Sequence, residues 1–123
     1  MQSFLRLLLP TFFILAGLNH FRDPAFYYPL IPDYLPWKIS INILSGLLEV
    51  ILGALLFFKP FQRAATWGLI ALLVVFVPSH IHFIVIGSCI DQGLCVPSWV
   101  AWLRLLVVHP LLIWWVFQYA KSS

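Results

Sequence analysis

Ile39-Ser-Ile-Asn-Ile-Leu-Ser-Gly-Leu-Leu-Glu-Val-Ile-Leu-Gly-Ala-Leu-Leu-Phe-Phe58 is an apolar stretch with an acid, Glu49, almost at its middle. Its length matches the ~20 residues that a helix needs to cross a bilayer. A carboxylate at that depth costs several kcal/mol, roughly 3, unless it is paired, protonated or facing water. At helical spacing Asn42, Ser45, Gly46, Glu49 and Gly53 share one side, and Leu, Ile, Val and Phe fill the other. Small residues on that side admit a neighbouring helix, and the polar ones need partners inside a bundle.

The rest of the chain agrees with a membrane reading. Of 123 residues 63% are hydrophobic and 9% charged, and the mean hydropathy is +1.00. A soluble domain carries about a quarter charged residues. The net charge of +3 is spread over seven basic residues that form no patch, which argues against a nucleic-acid partner. Four apolar runs, about 4–20, 39–58, 64–86 and 98–119, predict four spans in a single transmembrane domain, 1–123. The N-terminal run resembles a signal peptide, but no A-x-A site precedes Asn19, and it reads as an uncleaved first span. The predicted fold is all-α, a transmembrane four-helix bundle.

Arg6, Lys59, Arg63 and Lys121 lie at one set of span ends with no acid nearby, whereas Arg22 and Lys38 are offset by Asp23, Asp33 and Asp91. The positive-inside rule then puts both termini in the cytoplasm of a multi-pass protein. Cys89 and Cys95 fall in an outward loop, where an oxidising compartment favours a disulfide. Between the first two spans, Arg22–Lys38 holds four prolines and the aromatic residues Phe26, Tyr27, Tyr28, Tyr34 and Trp37. Proline forbids a long helix there. The rings suit the headgroup level, so the loop is expected to lie at the outer interface as a lid or as an anchoring belt.

Polar residues at membrane depth are few. Asn19 and His20 close the first span, and Ser79, His80 and His82 follow Pro78 in the third. His80 and His82 are ~200° apart on a regular helix, so one faces inward. Arg104, in the fourth span, is expected to be the counter-ion of Glu49, because the two differ in depth by only ~6 Å. His82 and His109 have nothing at helical spacing to join them to this cluster and read first as histidines that cap a helix or bond between helices. No H-x-x-x-H pair, P-loop, GxGxxG or nucleophile–His–Asp pattern occurs, and no metal site is expected.

Gly17-Leu-Asn-His20-Phe21, Asp23-Pro24, Leu35-Pro36, Ser45-Gly46-x-x-Glu49-x-x-x-Gly53, Arg63-x-Ala65, Pro78-Ser-His80 and Trp102-Leu-Arg104-Leu105 occur in that order. Together, from about Gly17 to Trp115, they resemble the DoxX-like family of small bacterial membrane proteins. The resemblance implies a four-helix transmembrane bundle in the bacterial inner membrane, with His20, Glu49, Gly53 and Arg104 at the family's motif positions. It also favours His80 over His82 as the inward histidine, at a place where relatives often carry Asn. After Arg104-Leu105 relatives often read Pro-Leu-Gln, and this chain reads Leu-Val-Val-His109.

The functional expectation is a polar pocket toward the outer leaflet, lined by Asn19, His20, Asn42, Glu49, His80 and Arg104. It would bind a small lipophilic molecule with polar oxygens, a quinone first among candidates. The chain has no haem, flavin or iron–sulfur motif, so electrons would come from a redox partner subunit; homo-oligomerisation stays open. Two rivals stand beside it. A lone intramembrane isomerase or hydrolase requires Glu49 and a histidine to converge in a ligand-sized pocket. An assembly subunit requires only a Glu49–Arg104 pair with no cavity, and a small-solute carrier requires a pocket reaching both sides.

Overall fold

In a water-soluble helix the apolar stripe is the buried one. Here the pattern is inverted. The buried residues of the helix Lys38–Leu55 are Asn42, Gly46, Glu49 and Gly53, whereas Ile39, Ile43, Leu44, Leu47 and Ile51 are exposed. A computed structural model describes the backbone of residues 3–91 and 93–122 and the side chains of 6–91 and 93–119. The described residues are helical, without strands, in the order α1 (Ser3–Arg22), α2 (Pro24–Tyr27), α3 (Lys38–Leu55), α4 (Gln62–Val75), α5 (Val77–Val85), α6 (Ser98–Leu103) and α7 (His109–Ser122).

Lys38–Leu55, Lys59–Val85 and Ser98–Tyr119 are each long and apolar enough to cross a membrane, yet only 22%, 22% and 17% of their best windows are buried. That much exposed apolar surface fits lipid as the solvent and marks a membrane protein. The helix α1, expected as the first span, runs 20 residues; the side chains of Phe4 and Leu5 lie outside the described ones, as does that of Lys121.

Glycine sets the closest helix contact. A Cβ placed on Gly17 would stand 2.7 Å from the Gly46 carbonyl oxygen, and one on Gly46 would stand 2.8 Å from the His20 Cβ. So α1 lies directly on α3, and His20 is brought against the Glu49 stripe. The helix α4 packs on α7 and also borders α3.

Two apolar clusters enclose the middle of the molecule. Leu9, Phe13, Leu56, Leu69, Leu73, Val116 and Tyr119 form the larger one, and Leu30, Phe83 and Ala101 form the smaller.

Three prolines lie where helix hydrogen bonding is interrupted. Pro10 leaves the Arg6 carbonyl without its helical donor, and the Tyr119 hydroxyl donates to that oxygen. Pro78 follows the break between α4 and α5 at Phe76. Pro110 lies just beyond a π-helical segment, Arg104–Val108, where the His109 amide bonds the Arg104 carbonyl five residues back.

The helix α5 ends in a Schellman motif. Gly87, at φ +97°, lets Ser88 N–H reach Phe83 O at 2.9 Å and Gly87 N–H reach Ile84 O at 3.1 Å. The loop that follows is closed by a Cys89–Cys95 disulfide, and its Ile90, Leu94 and Val96 pack on the smaller cluster.

Candidate functional site

Between the two clusters lies a cavity of about 590 Å³, lined by His20, Asn42, Ser45, Glu49, Ser79, His80, Arg104 and His109 among mostly apolar side chains. That volume is ligand-sized, and a few convergent polar groups in an apolar wall are the usual make-up of a small-molecule site.

One wall is built by α1 and α3. Asn42 Nδ2 donates to the His20 carbonyl at 2.9 Å, and the same side chain's Oδ1 meets His20 Nδ1 at 2.7 Å. An amide oxygen only accepts, so His20 Nδ1 carries the hydrogen and Nε2 is the nitrogen offered to the cavity. That nitrogen stands 3.7 Å from Glu49 Oε1. Tyr27 covers the imidazole face, with ring centroids 3.8 Å apart and planes within 14°. Asn19 Nδ2 donates to the Tyr27 hydroxyl at 2.7 Å and its Oδ1 accepts from Arg22 Nε at 2.9 Å. Burial pushes the Tyr27 phenol above its usual range, so it stays neutral at pH 7.

The other wall is built by α4, α5 and the π segment. Carbonyls of a helix's last turn lack regular partners, and before the break at Phe76 the Leu73 oxygen is met by His109 Nε2 at 2.6 Å. His109 Nδ1 in turn meets His80 Nε2 at 3.1 Å. Arg104 places its guanidinium 5.4 Å from the Phe83 ring centre, a cation–π distance. Above, Ser79 Oγ donates to Leu30 O at 2.8 Å and ties α5 to the proline-rich loop. Phe26, Tyr27 and Tyr34 of that loop line the cavity, and Tyr28 and Trp37 do not.

His20, Asn42, Glu49, His80 and Arg104 thus meet around one space, while Asn19 stands behind it and holds Tyr27. One expectation is corrected and another extended. Arg104 does not pair with Glu49; among the described residues the carboxylates within 4.0 Å of a basic nitrogen are Glu49, 3.7 Å from His20 Nε2, and Asp33, 2.8 Å from Lys38 Nζ. The tight Gly17–Gly46 contact puts His20 next to the carboxylate. His109, expected first to bond between helices, does so to His80 and Leu73 O, and it is also buried against the cavity. Residues five apart on an α-helix are about 140° out of phase, but the π turn brings Arg104 and His109 to the same side. Pro110, whose missing N–H disturbs a regular helix there, was the available signal.

Two of the residues lining the cavity each carry a buried atom without a protein partner, Glu49 Oε2 and Arg104 Nη1. Buried polar groups are almost always satisfied, so each of these atoms calls for a partner. A pure assembly subunit required a closed Glu49–Arg104 pair and no cavity, and the arrangement differs on both points. Among the described residues no group of three or more His, Cys, Asp or Glu could hold a metal ion.

No curated protein and no solved structure matches the chain. One family model, that of a domain of unknown function (DUF8561), matches residues 9–120. Since that match covers most of the 123 residues, the chain belongs to this family.

Proposed function

We propose that the protein is a DoxX-like component of the bacterial inner membrane, a four-helix bundle with both termini cytoplasmic. Its cavity binds a small lipophilic molecule with polar oxygens, a quinone first among candidates, within a redox-linked complex whose partner subunit supplies electrons. The observation that carries this reading is the cavity of about 590 Å³ whose lining includes Glu49 and Arg104, each with a buried atom that has no protein partner. His20 and His80 supply further hydrogen-bonding atoms, and the His20–Glu49 pair can hold a proton. The test is native mass spectrometry with lipid extraction on gently solubilised protein. A stoichiometric quinone or similar lipid, lost in Glu49→Gln, supports the reading. An empty chain that co-purifies with other subunits sinks it.

One contact favours a second reading. His20 Nε2 and Glu49 Oε1, 3.7 Å apart beside the cavity, have the acid–base make-up of a stand-alone isomerase or hydrolase. Turnover of a lipid by the purified chain, abolished in Glu49→Gln, would select it; inertness toward all extracted lipids would remove it.

A further inference from the structure

The bundle is two helix pairs joined at one end. In the first pair α1 lies on α3 through Gly17 and Gly46. In the second, α4 packs on α7, and His80 of α5 meets His109 at 3.1 Å. The larger apolar cluster takes side chains from both pairs and closes the end that holds Arg6 and Tyr119.

Beyond that cluster the pairs part, and the faces that touched continue as cavity wall. A Cβ on Gly68 of α4 would stand 3.0 Å from the Leu52 side chain of α3. Seven residues along a helix the phase returns to within about 20°. Val75 therefore repeats the face of Gly68, and Ser45 that of Leu52. Both line the cavity, and Val75 is 68% exposed. The other seam behaves alike. Tyr119 reaches α1 at the Arg6 carbonyl, and Leu112, seven residues before it, repeats its face and lines the cavity. One turn further Val108 lines it too and is 52% exposed. On α1, Phe12 stands about 140° round the helix from Gly17, on the flank away from α3. It lines the cavity and is 46% exposed.

A side chain that lines a cavity yet stays about half exposed stands at its mouth. Val75 and Val108 lie inside stretches long and apolar enough to cross a membrane, and Phe12 lies midway along the 20-residue α1. These mouths are apolar and at membrane depth. The polar groups lie further in: His20 is eight residues, about 12 Å, beyond Phe12. Over them the proline-rich loop sets Leu30 and Ile31, both buried, and Ser79 Oγ holds the Leu30 carbonyl.

We infer that the site takes a chain-bearing amphiphile directly from the bilayer. Its oxygen-bearing head lies among His20, Glu49 and Arg104, and its hydrocarbon chain lies in the slot between the helix pairs and runs out into the lipid. An apolar slot open at membrane depth gives water no polar partners and is filled by hydrocarbon. The inference rests on the lipophilic-ligand reading above and adds the ligand's shape and its route.

The test uses the full-length chain in nanodiscs of saturated phospholipid, with decylubiquinone carrying a diazirine at the middle of its decyl chain. Native mass spectrometry reads occupancy, and irradiation followed by peptide sequencing reads which residues the chain touches. Adducts are expected on Phe12, Val75 or Val108, and they should be lost when unlabelled decylubiquinone is in excess. Leu15 and Leu111 are exposed but outside the lining, so adducts there report bulk lipid and should persist. Bound probe whose displaceable adducts fall only on the loop, at Tyr34 or Leu35, means that the chain leaves by the outer side; that overturns the inference and leaves a lipophilic site standing. A dimer in which Phe12, Val75 and Val108 all escape the bound probe assigns the mouths to a second copy and overturns it too. No retention of the probe overturns the inference and the underlying reading together.

Discussion

Replacing Gly17 by alanine sets two effects of opposite sign against each other. Alanine in a helix interior is favoured over glycine by about 1 kcal/mol. At Gly17, however, the new Cβ would lie 2.7 Å from Gly46 O and 2.9 Å from Val50 N, both backbone atoms. Reaching the 3.4 Å where ordinary contact begins requires α1 and α3 to part by 3.4 − 2.7, or 0.7 Å. Overpacking of this kind costs roughly 1–3 kcal/mol, and backbone cannot rotate away, so the upper part of that range applies. The net expectation is a loss of about 1–2 kcal/mol, together with weaker ligand binding, since the separation draws His20 from Glu49.

Gly68 supplies the control. Its Cβ would meet only the Leu52 side-chain tip, at 3.0 and 3.2 Å, which a rotamer change relieves. Gly68→Ala should therefore be neutral or more stable by up to about 1 kcal/mol. Unfolding in mixed micelles of rising SDS fraction measures both variants. If Gly17→Ala matches the wild type, or Gly68→Ala is the less stable of the two, the close-approach argument is wrong.

Three further perturbations follow from the same geometry. Asn42→Leu removes both bonds of the clamp on His20 and should cost about 1–3 kcal/mol; SDS unfolding and probe occupancy should fall together, and an unchanged occupancy would show that His20 does not need its clamp. Asp33, held below the usual carboxylate range first by its hydrogen bond to Lys38, has a bond that is complete above the ordinary carboxylate pKa and is lost as pH falls through the lowered one. Lys38→Ala should move the Asp33 titration midpoint upward in carbon-detected NMR without altering the fold, and a static midpoint would refute the contact. Replacing Cys89 and Cys95 together by serine opens a short loop and should lower stability by about 2 kcal/mol. Because that loop rests on Leu30, which also lines the cavity, probe affinity measured in nanodiscs should drop as well.

Three helices long and apolar enough to cross a membrane fall on expected apolar runs, because apolar length is a local property. The stretch 98–119 is the segment found, and the third span begins earlier than expected, at Lys59 instead of residue 64, because Pro60 can open a helical turn. Glu49 and its small neighbours were readable from periodicity alone, since α3 is a regular helix. The partner of Glu49 was not. Depth counting ranks candidates along the membrane normal, whereas the choice between His20 and Arg104 turns on lateral distance, fixed by the contact of Gly17 with Gly46. His109 was missed for a different reason, because helical-wheel reasoning assumes a constant phase that the Arg104–Val108 segment breaks.

That segment has a consequence for how sites of this kind are compared between chains. A π turn adds one residue to a helix without lengthening it by a full turn, so here the number of residues carries chemical information. Wound as a regular α-helix with every residue kept, Arg104 and His109 would stand about 140° apart and the imidazole would leave the Leu73 carbonyl; with one residue fewer they would stand about 40° apart, on the same side as the π turn holds them. A sequence one residue shorter at this place can therefore carry the same pair on the same side of a regular helix, and a gap of one position in an alignment here does not by itself remove the histidine from the cavity.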